Sequence, residues 1–202
     1  MTEAGDLVKE FPQSKFVEFR PTPRSGVWKI EVPNQLVTFE EILRTSLPVA
    51  LEEVDGRVRN LNTTLHFVPN LVHKEGQGKG VFSARGISSF KIRSKSSDIV
   101  IGLTEEILRS PLRSSILSQV VLHELFEIDY HVKTMALGRR MQQTPLSDAQ
   151  YSNSEHEVIA TNKAILCLQK SIGMEVENPE AFQEPNYWEK VIAKTPAKYA
   201  DE

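Results

Sequence analysis

Ser115-Ile116-Leu117-Ser118-Gln119-Val120-Val121-Leu122-His123-Glu124-Leu125-Phe126-Glu127-Ile128-Asp129-Tyr130-His131-Val132 is the stretch on which the reading of this chain turns. Leu117, Val121, Leu125, Ile128 and Val132 recur every three or four residues, the spacing of one helical face. The run predicts a buried helix, capped by Ser114 or Ser115 and ending near Gly138. A buried helix does not carry a histidine and two carboxylates without partners, because removing unpaired charge from water is expensive. At ~100° per residue, Glu127 lies about 40°, His131 about 80° and Glu124 about 100° around the axis from His123. These four polar groups form a seam on an otherwise apolar rod.

Within the seam, His123-Glu124-x-x-Glu127 differs by one residue from H-E-x-x-H, the zinc motif that sets two ligands one turn apart with a glutamate base beside the first. Glu127 stands where the second histidine would be. His131 is about 12 Å along the axis from His123, too far to share its ion directly. Glu127 and His131 are themselves one turn apart, so they can hold a metal in a different register or simply hydrogen-bond to each other. Ser154-Glu155-His156-Glu157-Val158-Ile159-Ala160 opens the next helix, where Glu157 or His156 offers a third ligand. Each also has a plainer reading. Glu157 can complete a capping box with Ser154, although Ser152 and Glu155 make an equally good one. His156 reads most simply as a surface residue.

Around these helices the pattern is mixed. Val27 to Val32 alternates Trp28, Ile30 and Val32 with charged residues, a strand. Thr38-Phe39-Glu40-Glu41 reads as a capping box opening a helix that breaks or kinks near Pro48 and resumes to about Asn60. Its apolar positions are Leu47, Leu51, Val54, Val58 and Leu61. Thr63 to Val72 is strand-like, with Pro69 marking an edge or an end. Residues 73–96 are basic and rich in glycine and serine. They read as a solvated hairpin rather than a phosphate loop, since Gly76, Gly78 and Gly80 have the wrong spacing and no aromatic ladder accompanies the lysines. Asp98 to Gly102 is a short strand, and Leu103 to Arg109 a short helix stopped by Pro111. Residues 139–151 form a loop. Ser152 or Ser154 starts a helix ending near Gly173, and a short helix around Trp188 follows. The expectation is an α+β fold, a small sheet packed on helices with two adjacent site-bearing helices. It comprises a loose arm over 1–25, one domain over 26–190 and a frayed tail over 191–202.

Composition fits this picture. The chain has 202 residues, 40% of them hydrophobic and 25% charged, an ordinary globular balance. A net charge of −3 gives no basis for direct nucleic-acid capture. No window approaches ~18 consecutive apolar residues, and no signal peptide is visible, so a cytoplasmic protein is expected. Cys167, the sole cysteine, excludes an internal disulfide and reads as a small core residue between Leu166 and Leu168.

His123-Glu124-x-x-Glu127 followed by Glu157-x-x-Ala160-x-x-x-Ala164 resembles the minimal gluzincin metallopeptidases of the ImmA/IrrE kind, across roughly residues 38–172. That family has H-E-x-x-H on one helix and E-x-x-A-N-x-x-A on the next. The resemblance implies a zincin-like fold in which His123, Glu127 and Glu157 are metal ligands and Glu124 is the general base. His156 is the alternative third ligand. Two positions depart from the pattern: Glu127 replaces a histidine and Thr161 an asparagine. Zinc accepts carboxylate oxygen, but a site with two carboxylates is more anionic, which weakens the metal's Lewis acidity and makes Mn2+ or Fe2+ more competitive with Zn2+. The expected activity is hydrolysis of a peptide or protein substrate. The strand at 98–102 would pair with the extended chain, and Tyr130, Tyr151 or His131 would steady the oxyanion. Two other readings stand beside it. One is an inactive binding or regulatory module that kept the fold. The other is a metal-free scaffold in which Glu124, Glu127 and His131 bond to one another.

Overall fold

The computed structural model of the protein describes residues 13–69, 71–74, 81–83, 86–136, 155–174 and 194–201. The fold is α+β, a five-stranded mixed sheet with helices. Its strands are β1 (Ser14–Phe19), β2 (Trp28–Pro33), β3 (Asn62–Pro69), β6 (Gly86–Lys91) and β7 (Ser96–Leu103), in the spatial order β1-β2-β3-β7-β6. β2, β3 and β7 run parallel, and the edge strands β1 and β6 run antiparallel to their neighbours. A separate antiparallel pair, β4 (Val72–Lys74) with β5 (Val81–Ser83), falls in the basic stretch read as a hairpin.

Alternation sets which face of the sheet is covered. Trp28, Ile30 and Val32 of β2, Leu65 of β3, and Ile99 and Ile101 of β7 are buried, while Lys29, Glu31 and Asp98 are exposed. Where β3 meets β7 in register, Thr63 and Ser97 are both buried and join hydroxyl to hydroxyl at 2.8 Å, so neither polar group is left bare. The long helix α4 (Arg113–Ala136) packs on β6 and β7, and also against α1 (Phe39–Glu53) and α5 (Glu155–Ile172). Every residue of its predicted apolar stripe is buried. So are Leu47, Leu51, Val54, Val58 and Leu61, although they span two elements: α1 ends at Glu53 and a single turn, α2 (Gly56–Arg59), follows. The expected break at Pro48 does not occur, and α1 runs through it. α3 (Glu105–Arg109) is capped by the Thr104 hydroxyl, which accepts from the Ile107 N–H at 3.3 Å. α5 ends at Gly173, whose φ of +74° is the left-handed stop that glycine adopts without strain.

Three expectations are corrected here. The arm expected over 1–25 contains a strand: β1 pairs with β2 from Ser14↔Pro33 to Phe19↔Trp28, with Val17 and Phe19 packed against the core. The tail expected to fray over 191–202 is docked between 194 and 201, where Tyr199 and Asp201 are buried. Thr38 does precede α1, but its hydroxyl donates to the Tyr199 carbonyl at 3.2 Å and lies 3.2 Å from the Asp201 carboxylate, instead of accepting from α1. The hydroxyl hydrogen is committed to these acceptors near the C-terminus, and its oxygen makes no cap hydrogen bond to α1. Asp201 also accepts from the Ser114 N–H at 2.8 Å and the Ser114 hydroxyl at 2.6 Å, and thereby caps α4. The loop at 139–151, the starts at Ser152 and Ser154, and the Trp188 helix lie outside the described residues.

Candidate metal centre

α4 and α5 lie side by side, and their facing polar residues meet. His123 is held from both ring nitrogens: Nε2 is 3.2 Å from Glu157 Oε2, and Nδ1 is 3.1 Å from the Thr161 hydroxyl. Thr161 thus orients the imidazole, a role that hydrogen-bond partners of metal-ligating histidines commonly fill. Glu124 and Glu127 join His123 in a group whose donor atoms all lie within 4.8 Å of one another. His156 meets two of the same carboxylates. Its Nε2 is 3.5 Å from Glu127 Oε1 and 3.9 Å from Glu157 Oε1. The structure therefore brings His123, Glu124, Glu127 and Glu157 together, with His156, the alternative third ligand that otherwise read as a surface residue, partly buried beside Glu127 and Glu157.

Two buried oxygens at this locus lack hydrogen-bond donors among the described residues. Glu124 and Glu127 are both buried, and Glu124 Oε2 and Glu127 Oε1 have no hydrogen-bond partner among the described residues. Leaving such atoms bare costs about 1–3 kcal/mol each, more if charged. Protonation is the response available to the protein alone. Burial, then the neighbouring Glu157 charge, lifts the Glu124 carboxyl above its ordinary range, against the opposing pull of His123 and a hydrogen bond from Ser88. Burial lifts Glu127 to about 8, assisted by the charges of Glu124 and Glu157. Burial would lower His123, but the hydrogen bond and charge of Glu157, with Glu127 and Glu124 behind it, override that and raise it to about 9. Glu157 is itself lowered, because pairing with His123 outweighs burial. Protons on His123 and Glu127 thus balance the ionised Glu157, within a donor set of one imidazole and three carboxylates whose chemistry is compatible with a divalent cation.

One element that sequence reasoning missed borders this set. A Cβ on Gly86 would fall 2.6 Å from Glu124 Oε1 and 2.8 Å from Val120 Cγ1, so β6 approaches the Glu124 carboxyl as closely as backbone can. Glycine next to a strand was the available signal, but it lay in a stretch dominated by basic and small residues. The strand expected to pair with substrate is also corrected: β7 lies between β3 and β6 with both edges occupied, and β6 is the edge strand beside Glu124. Of the oxyanion candidates, Tyr130 and His131 lie near His156, with Tyr130 ring centroids 5.9 Å from both histidines, and Tyr151 is outside the described residues.

No helix among the described residues is long and apolar enough to cross a membrane. Compared with protein-family profiles, curated proteins and solved structures, the chain matches none.

Proposed function

We propose that this protein is a metal-dependent hydrolase acting on peptide bonds, related in its site to the minimal gluzincin peptidases of the ImmA/IrrE kind. The observation that carries this reading is the pair of buried carboxylates with bare oxygens, Glu124 and Glu127, converging on a histidine that Glu157 and Thr161 hold in place. Glu124 Oε2 and Glu127 Oε1 lack a hydrogen-bond donor among the described residues, which supports a cation there over a fully hydrogen-bonded scaffold.

His123, Glu127 and Glu157 are the proposed ligands of Zn2+, with Mn2+ and Fe2+ as competitors for a carboxylate-rich site. When bound, the cation supplies Lewis acidity toward a carbonyl oxygen and acidifies water. Glu124 accepts a proton from the attacking water and delivers it to the leaving amine. Burial raises the Glu124 carboxyl, and a cation bound beside it would lower it toward the carboxylate form that accepts the proton. Thr161 fixes the His123 ring through Nδ1, leaving Nε2 directed at Glu157 and the ligand position. The edge of β6, unpaired among the described residues, offers backbone donors and acceptors to an extended substrate alongside Glu124.

The test is the metal content of the purified protein by elemental mass spectrometry, wild type beside His123→Ala, followed by peptidase assays with Glu124→Gln. About one ion per chain that His123→Ala loses, together with hydrolysis that Glu124→Gln abolishes while the ion stays bound, is the expected result. Absence of uptake in wild type, even after reconstitution, would end this reading. A second reading, a metal-binding module without catalysis, is favoured by the carboxylate at position 127, which weakens Lewis acidity. It predicts that Glu124→Gln changes neither the metal nor any activity.

A further inference from the structure

Three helix-borne residues not used in the proposed chemistry, or used there in another role, converge one turn further along α4. Glu127 and His131 are four residues apart and so share a helical face, and His156 reaches them from the first turn of α5. One donor atom from each of the three lies within 4.8 Å of the others. His156 Nε2 is 3.5 Å from Glu127 Oε1, and the two imidazole rings are 5.4 Å apart between centroids, inclined at 44°. Ligands of a tetrahedral zinc with bonds of ~2.0–2.1 Å are ~3.3 Å from one another. The trio's donor atoms, within 4.8 Å of one another, are somewhat wider than that spacing.

We propose that Glu127, His131 and His156 form a second divalent-cation site, with Glu127 the carboxylate shared between it and the His123 register. Three features favour this assignment. Two imidazoles and one carboxylate are a better donor set for zinc than one imidazole and two carboxylates. Glu127 is only 8% exposed, and its Oε1, which has no hydrogen-bond partner among the described residues, is the oxygen that faces His156. His131 and His156 are only partly buried, so the site keeps an open side for water or a substrate group. A carboxylate has two oxygens, and one that bridges two cations ~3.5–4 Å apart is the arrangement of two-metal hydrolytic sites. The sharing rests on the His123 register proposed above, whereas the second site does not. The substitution of glutamate for histidine at position 127 then has a positive role: imidazole can serve one cation through Nε2, but a carboxylate can serve two.

The deciding experiment titrates Zn2+ into the metal-stripped full chain by calorimetry, with Co2+ absorption as a report of coordination and circular dichroism as a check on folding. Wild type is expected to take up two ions per chain. His131→Ala and His156→Ala are each expected to take up one, which His123→Ala in the same chain then removes. Glu127→Gln is expected to weaken both ions at least tenfold. Saturation at one ion that His131→Ala keeps and His123→Ala loses would overturn the second site and leave the proposed function standing. Saturation at one ion that His131→Ala loses and His123→Ala keeps would support the trio and overturn the His123 register. One ion lost in either variant means a single centre and overturns the inference. No uptake by wild type overturns both.

Discussion

Asp129 and Glu127 are two residues apart on α4, both buried and both acidic, yet they are treated in opposite ways. Asp129 is 1% exposed and fully partnered: it accepts from the Asp55 N–H at 2.7 Å and from Lys133 Nζ at 2.5 Å, with Lys163 Nζ at 3.7 Å. Glu127 faces other acids and histidines and keeps a bare oxygen. The first arrangement ties the α1–α2 junction to the middle of α4, which is what a structural carboxylate does. The second leaves a donor set compatible with a divalent cation. Burial alone does not separate the two roles; the supply of donors does.

Matched isosteric changes should break this symmetry most strongly. Asp129→Asn turns an NH2 toward Lys133 and Lys163 and removes the charge they pair with, so a loss of roughly 2–3 kcal/mol is expected. Glu127→Gln in metal-free protein should leave stability unchanged or raise it, because a neutral amide replaces a carboxyl that burial disfavours. Chemical denaturation of both variants in chelator checks the pair, and an equal loss in Glu127→Gln would make Glu127 structural as well.

A smaller effect is expected at β6. Gly86→Ala places a methyl against Glu124 and Val120, which should destabilise by about 1–3 kcal/mol. Hydrolysis should fall further than the stability loss explains, since the displaced side chain is the proposed base, while ion uptake changes little. Unchanged turnover would mean that β6 does not set the position of Glu124.

The smallest effect is a dependence on pH. His123 has an ordinary value of 6.5 and is raised to about 9, so its stabilising contribution is complete below 6.5 and lost as pH climbs through 9. Glu127, raised from 4.5 to about 8, acts in the same direction over its own range, because the folded state holds its proton longer than the unfolded chain does. The lowered Glu157 acts in the opposite sense, but in acid. The Tm of the metal-free protein should therefore fall between pH 6.5 and 9, and saturating Zn2+ should oppose that fall because cation and protons compete for the same donors. A flat profile in chelator would contradict the placement of these protons.

Much of this was legible in the chain because helical periodicity is a local property. Leu117 through Val132 announced both the buried stripe and the polar seam, and Trp28, Ile30 and Val32 announced the inward face of β2. What could not be read depends on which distant segments become neighbours. β1 was hidden by flanking prolines and by its short alternation. The closeness of β6 to Glu124 is a matter of sheet order, which no spacing within residues 73–96 encodes. His156 read as a surface residue because its first-turn position is ordinary for an exposed side chain, and only the packing of α5 on α4 turns it toward Glu127.

Asp201 binds the start of α4 and contacts Thr38 at the start of α1, reaching across 87 and 163 positions of sequence respectively. Neither helix start acquires this acceptor until nearly the whole described chain has emerged from the ribosome. During synthesis, therefore, the helix that carries His123 and Glu127 must wait for a carboxylate made long after it. Chains cut short before position 201 should be poorer at presenting those two residues than their intact sequence at 123 and 127 would suggest.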